Sequence, residues 1–436
     1  MLKYKTAALI MGFIMLISLP CAAAPELSVP SAVLVDASSG LVLFDKNKDA
    51  RVYPASTTKI MTAIIAIEHS EGRLSDMFTA SYAAVNSISF DSSKANLLEG
   101  EQMSYHDLIF ALLIASANDA ANVLAENIAG SSDEFVKLMN EKAAELGAAS
   151  THFQNPHGLH DENHYTTPAD MAKIARYAMT LPLFKEAVSN REYTIPATNM
   201  QPERNLVSTN QLLSRSSKYY YEYAKGIKTG YTTEAGYCLV SAAETSDRQL
   251  IAAVFGADPK AEEMFSFVDS KKLLSYGINT LKSSVIASKG DILSSVPLRN
   301  SYADNAILEA SETISVVLPE GADPSAVTKN ITLNKNISAP IEAGEVLGNV
   351  EFLYGGTTIA SCSLAAVSQY KKMPLAFIFR PVYKIIKAIG VYVIAAFAVI
   401  LLLLISAEKK RRAKIRRRKM REARRKEDME KMRRIK

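Results

Sequence analysis

The chain predicts an α/β domain, an antiparallel sheet covered by helices, followed by a small all-β domain and a C-terminal transmembrane helix. Three observations carry that reading. Strand-like apolar runs sit at both ends of the first 280 residues, with helical spacing between them. From about Ser283 the composition shifts to Val, Ile, Ser, Thr, Asn and Gly with short alternating runs. Ala388 to Ala407 is an uncharged apolar stretch of 20 residues.

At the N-terminus, Lys3 and Lys5 precede an apolar run from Ala7 to Leu19 and then Pro20-Cys21-Ala22-Ala23-Ala24. A basic start, a short apolar run and small residues predict a signal peptide over 1–23. Ala32–Val35 and Leu41–Phe44 flank Asp36-Ala37-Ser38-Ser39-Gly40, a hairpin pattern. Ser56 to His69 is apolar at 60, 63, 64 and 67, which predicts a helix. Further helices are expected over Tyr105–Ile114, Ala120–Ile128, Ser132–Leu146 and Thr167–Met179. Strands return at Gly226–Tyr231, Tyr237–Ala243 and Leu250–Phe255, and a helix near Lys260–Asn279 closes the region. Strands at both ends with helices between imply one antiparallel sheet completed by its two termini. The expected domains are 24–280 for this unit and 281–371 for the β-rich one, with a juxtamembrane segment over 372–387.

Twenty helical residues rise about 30 Å, the thickness of a bilayer's hydrocarbon core. After the span of 388–407, the tail of 408–436 carries 17 Lys/Arg against five Asp/Glu. By the positive-inside rule that tail stays in the cytoplasm and everything before the span lies outside. The net charge of +5 therefore misleads, because residues 25–380 hold 29 Lys/Arg against 40 Asp/Glu. The exported part is acidic, so no nucleic-acid function follows from the overall charge; the basic tail is expected on anionic lipid headgroups. Of three cysteines, Cys21 leaves with the signal peptide, and Cys238 and Cys362 read as ordinary buried thiols.

Chemistry enters through three triplets in order: Ser56-Thr57-Thr58-Lys59, Ser116-Ala117-Asn118 and Lys228-Thr229-Gly230. Each alone is weak, as two decoys show. Ser368…Lys371 falls after the third motif, and Ser208-Thr209-Asn210 reads as a turn entering a short helix. The ordered trio is specific. A serine hydroxyl needs a neighbouring base, and Lys59 lies one turn beyond Ser56 on the same helix face. Acting as a base requires Lys59 to lose its proton, which burial or the nearby charge of Lys228 would favour. Ser116 and Asn118 sit at a corner between helices, suited to passing a proton and holding substrate. Lys228 and Thr229 lie on a strand where a substrate carboxylate can dock, and Gly230 allows close approach of its backbone. The N–H groups of Ser56 and Tyr231 are the candidate oxyanion hole. Four of six histidines fall in His152–His164, in a loop rich in Asn, Pro and Gly. That loop is expected to border the cleft with His157 near the site, rather than to hold a metal through His160 and His164. No cofactor is implied.

With these motifs, the chain resembles the low-molecular-mass penicillin-binding proteins that are serine-type D-alanyl-D-alanine carboxypeptidases. The likeness spans nearly all of residues 30–370 and includes Asn155-Pro156-His157-Gly158-Leu159, Thr209-Asn210-Gln211-Leu212-Leu213 and Gly226-Ile227-Lys228-Thr229-Gly230-Tyr231-Thr232. The resemblance implies a β-lactamase-like domain followed by a small β-rich one. It also implies acylation of Ser56 by a peptidoglycan stem peptide ending in D-Ala-D-Ala, with loss of the last D-Ala. Ser56 is then the nucleophile, Lys59 the base, Ser116 and Asn118 the relay, and Lys228 the carboxylate contact. β-Lactam antibiotics should acylate the same serine. The chain departs from the family in its spanning helix, where many members have an amphipathic one, and in Pro156. The alternatives are a DD-endopeptidase or transpeptidase, and a catalytically inactive penicillin-binding scaffold. A zinc peptidase built on the histidine loop is a further reading.

Overall fold

The computed structural model describes residues 24–89, 91–373 and 376–433, so the signal peptide expected over 1–23 lies outside the described residues. Two compact units emerge. The first comprises residues up to Lys289 with Glu312–Ile331 and Asn349–Cys362; the second comprises Gly290–Ser311, Thr332–Gly348 and Ser363–Lys436.

In chain order the structure begins with β1 (Ser31–Asp36), β2 (Val42–Lys46), α1 (Lys59–Glu68), β3 (Met77–Thr79), α2 (Tyr82–Asn86) and β4 (Gln102–Ser104). It continues through α3 (Tyr105–Ile114), α4 (Asn118–Ala129), α5 (Ser132–Glu145), α6 (Pro168–Ala178) and α7 (Pro182–Ser189). Next come β5 (Glu192–Ile195), β6 (Arg204–Val207), β7 (Ala224–Thr232), β8 (Gly236–Glu244), β9 (Gln249–Ala257) and α8 (Phe265–Ser275).

The main sheet has the order β2-β1-β9-β8-β7 and is antiparallel throughout. β1 pairs with β9 through Val33 and Ala253, so the two ends of the domain do meet in one sheet. β8 and β9 read as nearly continuous buried runs because both faces are covered. Helix α1 forms the centre of the helical layer, with eight of its ten residues buried. α3 is almost wholly apolar and buried for the same reason. Packing of α1 against α3, α4, α5, α6 and α7, and of α3 against α1, α4 and α7, rather than helix propensity, is what holds them. Caps define the helix starts where the sequence provides them: Ser104 accepts from Asp107 N–H, Ser131 from Glu134 N–H and Thr167 from Asp170 N–H.

Two expectations shift at their edges. The helix expected from Ser56 begins instead as a 3-10 turn over Ala55–Thr58, because Ala55 adopts φ 47° and turns the chain sharply. The helix expected near Lys260 starts at Phe265 and ends in a π turn over Tyr276–Thr280. There Arg248 Nη1 donates to the carbonyls of Gly277, Ile278 and Leu281 at 2.7, 3.1 and 2.5 Å. Two short hairpin-like pairs, β3–β4 and β5–β6, interrupt the helical region where none was expected.

The remaining strands are β10 (Ser283–Ala287), β11 (Ile292–Pro297), β12 (Asn305–Ala310), β13 (Ile314–Val317), β14 (Thr328–Leu333), β15 (Val346–Tyr354) and β16 (Thr357–Ala366). β10 pairs with β13, and a second sheet has the order β11-β12-β16-β15-β14, giving the all-β character expected here. Both Cys238 and Cys362 are buried, free thiols. The chain ends in α9 (Ala376–Arg433), a single helix whose apolar part has mean hydropathy 3.0 and is unburied by protein. It is long and apolar enough to cross a membrane.

Arg248 ties together three carbonyls of the π turn that follows α8. Arg248→Ala is expected to destabilise the chain by about 2 kcal/mol, read as a lowered Tm of the detergent-solubilised protein. An unchanged Tm would assign those carbonyls to water instead.

Candidate active site

The site is built where the turn before α1 meets the edge strand β7. Ala55, in a left-handed conformation a non-glycine residue rarely adopts, lifts Ser56 out of the helix axis and into a cleft. The next turn carries Lys59 back under the hydroxyl. Lys59 Nζ lies 2.8 Å from Ser56 Oγ and donates to the His157 carbonyl at 2.6 Å. Its side chain is fully buried. Burial first, and then the charge of Lys228, hold the Lys59 pKa well below the ordinary lysine value, against an opposing pull from Asp119. A neutral amine that gives one hydrogen to His157 O keeps its lone pair for the Ser56 proton.

Ser116 and Asn118 occupy the corner between α3 and α4. Ser116 has φ 60°, and the Asn118 N–H donates to the Ser93 carbonyl at 2.9 Å. Asn118 Oδ1 is buried and has no hydrogen-bond partner among the described residues. An orphan acceptor of this kind is rare in a folded protein and tends to mark a functional site. Lys228 is buried too, and its pKa is pushed down to about 7 by that burial. Its Nζ donates to the Thr229 carbonyl at 3.2 Å.

Ser56, Ser116, Asn118, Thr229, Gly230 and Tyr231 all line one cleft of about 500 Å³. Lys59 and Lys228 lie behind that wall rather than on it. His157 contributes its carbonyl to Lys59, while its ring accepts from the Leu159 N–H at 3.2 Å; Gly158, Leu159 and His160 are the loop residues that reach the cleft. Burial, followed by the charge of Lys59, pushes the His157 pKa down to about 3. The two histidines raised as a metal pair go separate ways. His160 packs edge-on to the Tyr53 ring, and His164 is buried beside Thr58, its Nε2 2.7 Å from Thr58 Oγ1.

Three residues near the site have roles that the sequence reading did not assign to them. Asp119 follows the second motif, and its buried carboxylate accepts from the N–H groups of Ala95 and Leu97 at 2.9 and 3.0 Å. That pins the strap whose Asp91, Ser92 and Ser93 form the opposite cleft wall. Thr209, the middle of a decoy triplet, sits with its hydroxyl 2.5 Å from that of Thr229 in the cleft. Asn210 does cap the short helical turn expected there, accepting from the Leu212 N–H. The third is His164, raised from sequence only as half of a possible metal pair and found against Thr58.

Two glycines set the approach of the pieces. A Cβ on Gly230 would stand 3.0 Å from the Ser56 nitrogen, so β7 lies close against the Ser56 turn. A Cβ on Gly158 would fall 1.9 Å from the Ala55 carbonyl oxygen, and Gly158 also needs φ 89°. Gly158→Ala must therefore displace the Ser56 turn. It is expected to slow covalent capture of a fluorescent penicillin about a hundredfold; capture at the wild-type rate would show that the turn tolerates the shift.

Comparison with known proteins agrees with this geometry. Residues 20–259 match the family model described as D-alanyl-D-alanine carboxypeptidase, and 282–372 match that of the penicillin-binding protein 5 C-terminal domain. The chain is 34% identical to the D-alanyl-D-alanine carboxypeptidase DacF of Bacillus subtilis, over 78% of this chain and 86% of that protein. Penicillin-binding protein 5 from Haemophilus influenzae superposes with a TM-score of 0.62 at 32% identity, covering 80% of this chain and 99% of the other. The Streptomyces K15 DD-transpeptidase superposes with a TM-score of 0.54 at 30% identity, over 59% of this chain and 99% of that one. The chain belongs to the D-alanyl-D-alanine carboxypeptidase family.

Proposed function

We propose that this chain is a penicillin-binding DD-carboxypeptidase that removes the terminal D-alanine from peptidoglycan stem peptides. The observation that carries the reading is a buried, low-pKa Lys59 amine 2.8 Å from the Ser56 hydroxyl that lines the cleft. Ser56 Oγ attacks the carbonyl carbon of the penultimate D-Ala as its proton passes to Lys59. The resulting oxyanion meets the N–H groups of Ser56 and Tyr231. Ser116 relays a proton to the departing amine, the C–N bond breaks, and free D-Ala leaves an acyl-Ser56 ester. Water then attacks that ester with Lys59 again as base, restoring the serine. A β-lactam follows the first half of this path and stays bound.

Thr229 and Lys228 hold the terminal carboxylate in this scheme, with Gly230 and Tyr231 along the peptide backbone and Asn118 opposite. Burial pushes the Lys228 pKa down to about 7, well below the ordinary lysine value. An incoming carboxylate favours the charged form, and that charge in turn disfavours a proton on Lys59. His157 acts through its carbonyl, which orients the Lys59 amine.

Residues 24–280 are read as the peptidase domain, 281–371 as the β-rich domain and 388–407 as a single membrane span. The catalytic domain then stands on the extracytoplasmic side, with the tail of 408–436 on anionic lipid of the inner leaflet. The second reading is a transpeptidase, in which an amine replaces water at the ester; the K15 structure, named a DD-transpeptidase, favours keeping it.

Incubation with a D-Ala-D-Ala peptide should release D-Ala, and Ser56→Ala should abolish both that release and the penicillin adduct. An adduct without release would contradict the carboxypeptidase reading. Release that survives Ser56→Ala would remove the serine mechanism altogether.

A further inference from the structure

The loop of residues 155–166 meets the catalytic turn and the start of α1 through two carbonyls, a glycine and a buried histidine ring. The His157 carbonyl takes Lys59 Nζ at 2.6 Å, and the Pro156 carbonyl takes Thr62 Oγ1 at 2.6 Å. Gly158 packs directly on the Ala55 carbonyl. The fourth contact is the His164 ring, whose Nε2 lies 2.7 Å from Thr58 Oγ1.

The roles of its two nitrogens follow from their surroundings. Nδ1 faces the Gln154 N–H at 3.1 Å, and a backbone N–H can only donate. Nδ1 is therefore the bare acceptor, and the ring proton sits on Nε2, pointing at Thr58. His164 is 2% exposed, with the fully buried Phe153 edge-on to its ring at 5.6 Å. Burial is the main cause that pushes its pKa down to about 3, which keeps the ring neutral, while the Gln154 N–H fixes the tautomer. Thr58 stands between the nucleophile and the base in the chain and is itself wholly buried, so its rotamer is set by whatever holds its hydroxyl.

We propose that His164 is a positioning residue for acyl transfer: by donating Nε2–H to Thr58 Oγ1 it fixes the Ser56–Lys59 turn against the loop that orients the Lys59 amine. It touches no substrate. The proposal rests on the serine mechanism given above. The alternative is a buried histidine that merely fills space and braces the loop through Gln154.

Asn and Gln separate the two roles. An Asn side chain reaches about as far as Nδ1 and keeps only the bond to Gln154, whereas Gln reaches about as far as Nε2 and keeps a donor for Thr58. The full-length protein in detergent is reacted with penicillin under single-turnover conditions, giving the binding constant and the acylation rate separately. Capture by wild type, lost in Ser56→Ala, establishes the underlying mechanism first and independently. His164→Asn is then expected to lower the acylation rate about tenfold with unchanged penicillin binding, and His164→Gln to restore most of it. Thr58→Val should lower the rate to a similar degree, and Thr58→Val with His164→Asn should be no slower than either alone, since both remove one bond. If Asn acylates as fast as wild type, if Asn and Gln are equally impaired, or if the Thr58 and His164 losses multiply, the positioning role is overturned. Capture intact in wild type would leave the serine mechanism standing in each of those cases.

Discussion

Almost everything in this site depends on keeping one lysine amine dry. Lys59 is an ammonium in water, and an ammonium cannot take a proton from serine. Its burial removes the hydration that favours the charge, and Lys228 adds a second, repulsive reason to stay neutral. The fold is arranged around that requirement. Helix α1 is buried on nearly all sides, and the residue at its first position is wholly shielded from solvent. Among the described residues the amine is hydrogen-bonded to the Ser56 hydroxyl and the His157 carbonyl, which fix its direction.

The rest of the constellation follows from bringing distant pieces against that helix start. β7 arrives as the edge strand of the sheet, with Gly230 against the Ser56 nitrogen. An edge position leaves main-chain groups unpaired with any other strand, which suits an extended peptide lying along it. Gly158 lets the histidine loop close from another side. Asp119 ties the opposite wall to the start of α4, so that the wall and the Ser116–Asn118 corner share one support. Left-handed backbone at Ala55 and Ser116 is the local strain that these long-range contacts sustain.

Much of this was legible in the chain because the motif chemistry is local. Ser56 and Lys59 are one turn apart, and a spacing of three residues already places them together. The strands were legible because β1, β8 and β9 are apolar runs bounded by turns. What could not be read were contacts between residues far apart in sequence. His164 meets Thr58 across 106 positions, Thr209 meets Thr229 across 20, and nothing in either local pattern announces the partner. The short β3–β4 and β5–β6 pairs were invisible for a related reason: each strand has only three or four residues, too few for alternation to show. The 3-10 turn was also hidden, since a helix periodicity cannot register a left-handed alanine at its first residue. Net charge, by contrast, needed the chain to be divided at the membrane span before it meant anything.

The central claim is that Lys59 is the base and is neutral because it is buried. A pH profile of penicillin acylation, measured on the full-length protein in detergent, tests it most directly. A base works only without its proton, so a lowered pKa moves the rising limb of the rate to lower pH. The account predicts a limb with its midpoint well below 10.5, the ordinary lysine value, and a plateau above it. A rate that keeps climbing until the ordinary lysine value is reached would show Lys59 protonated in the resting enzyme, and would contradict the account.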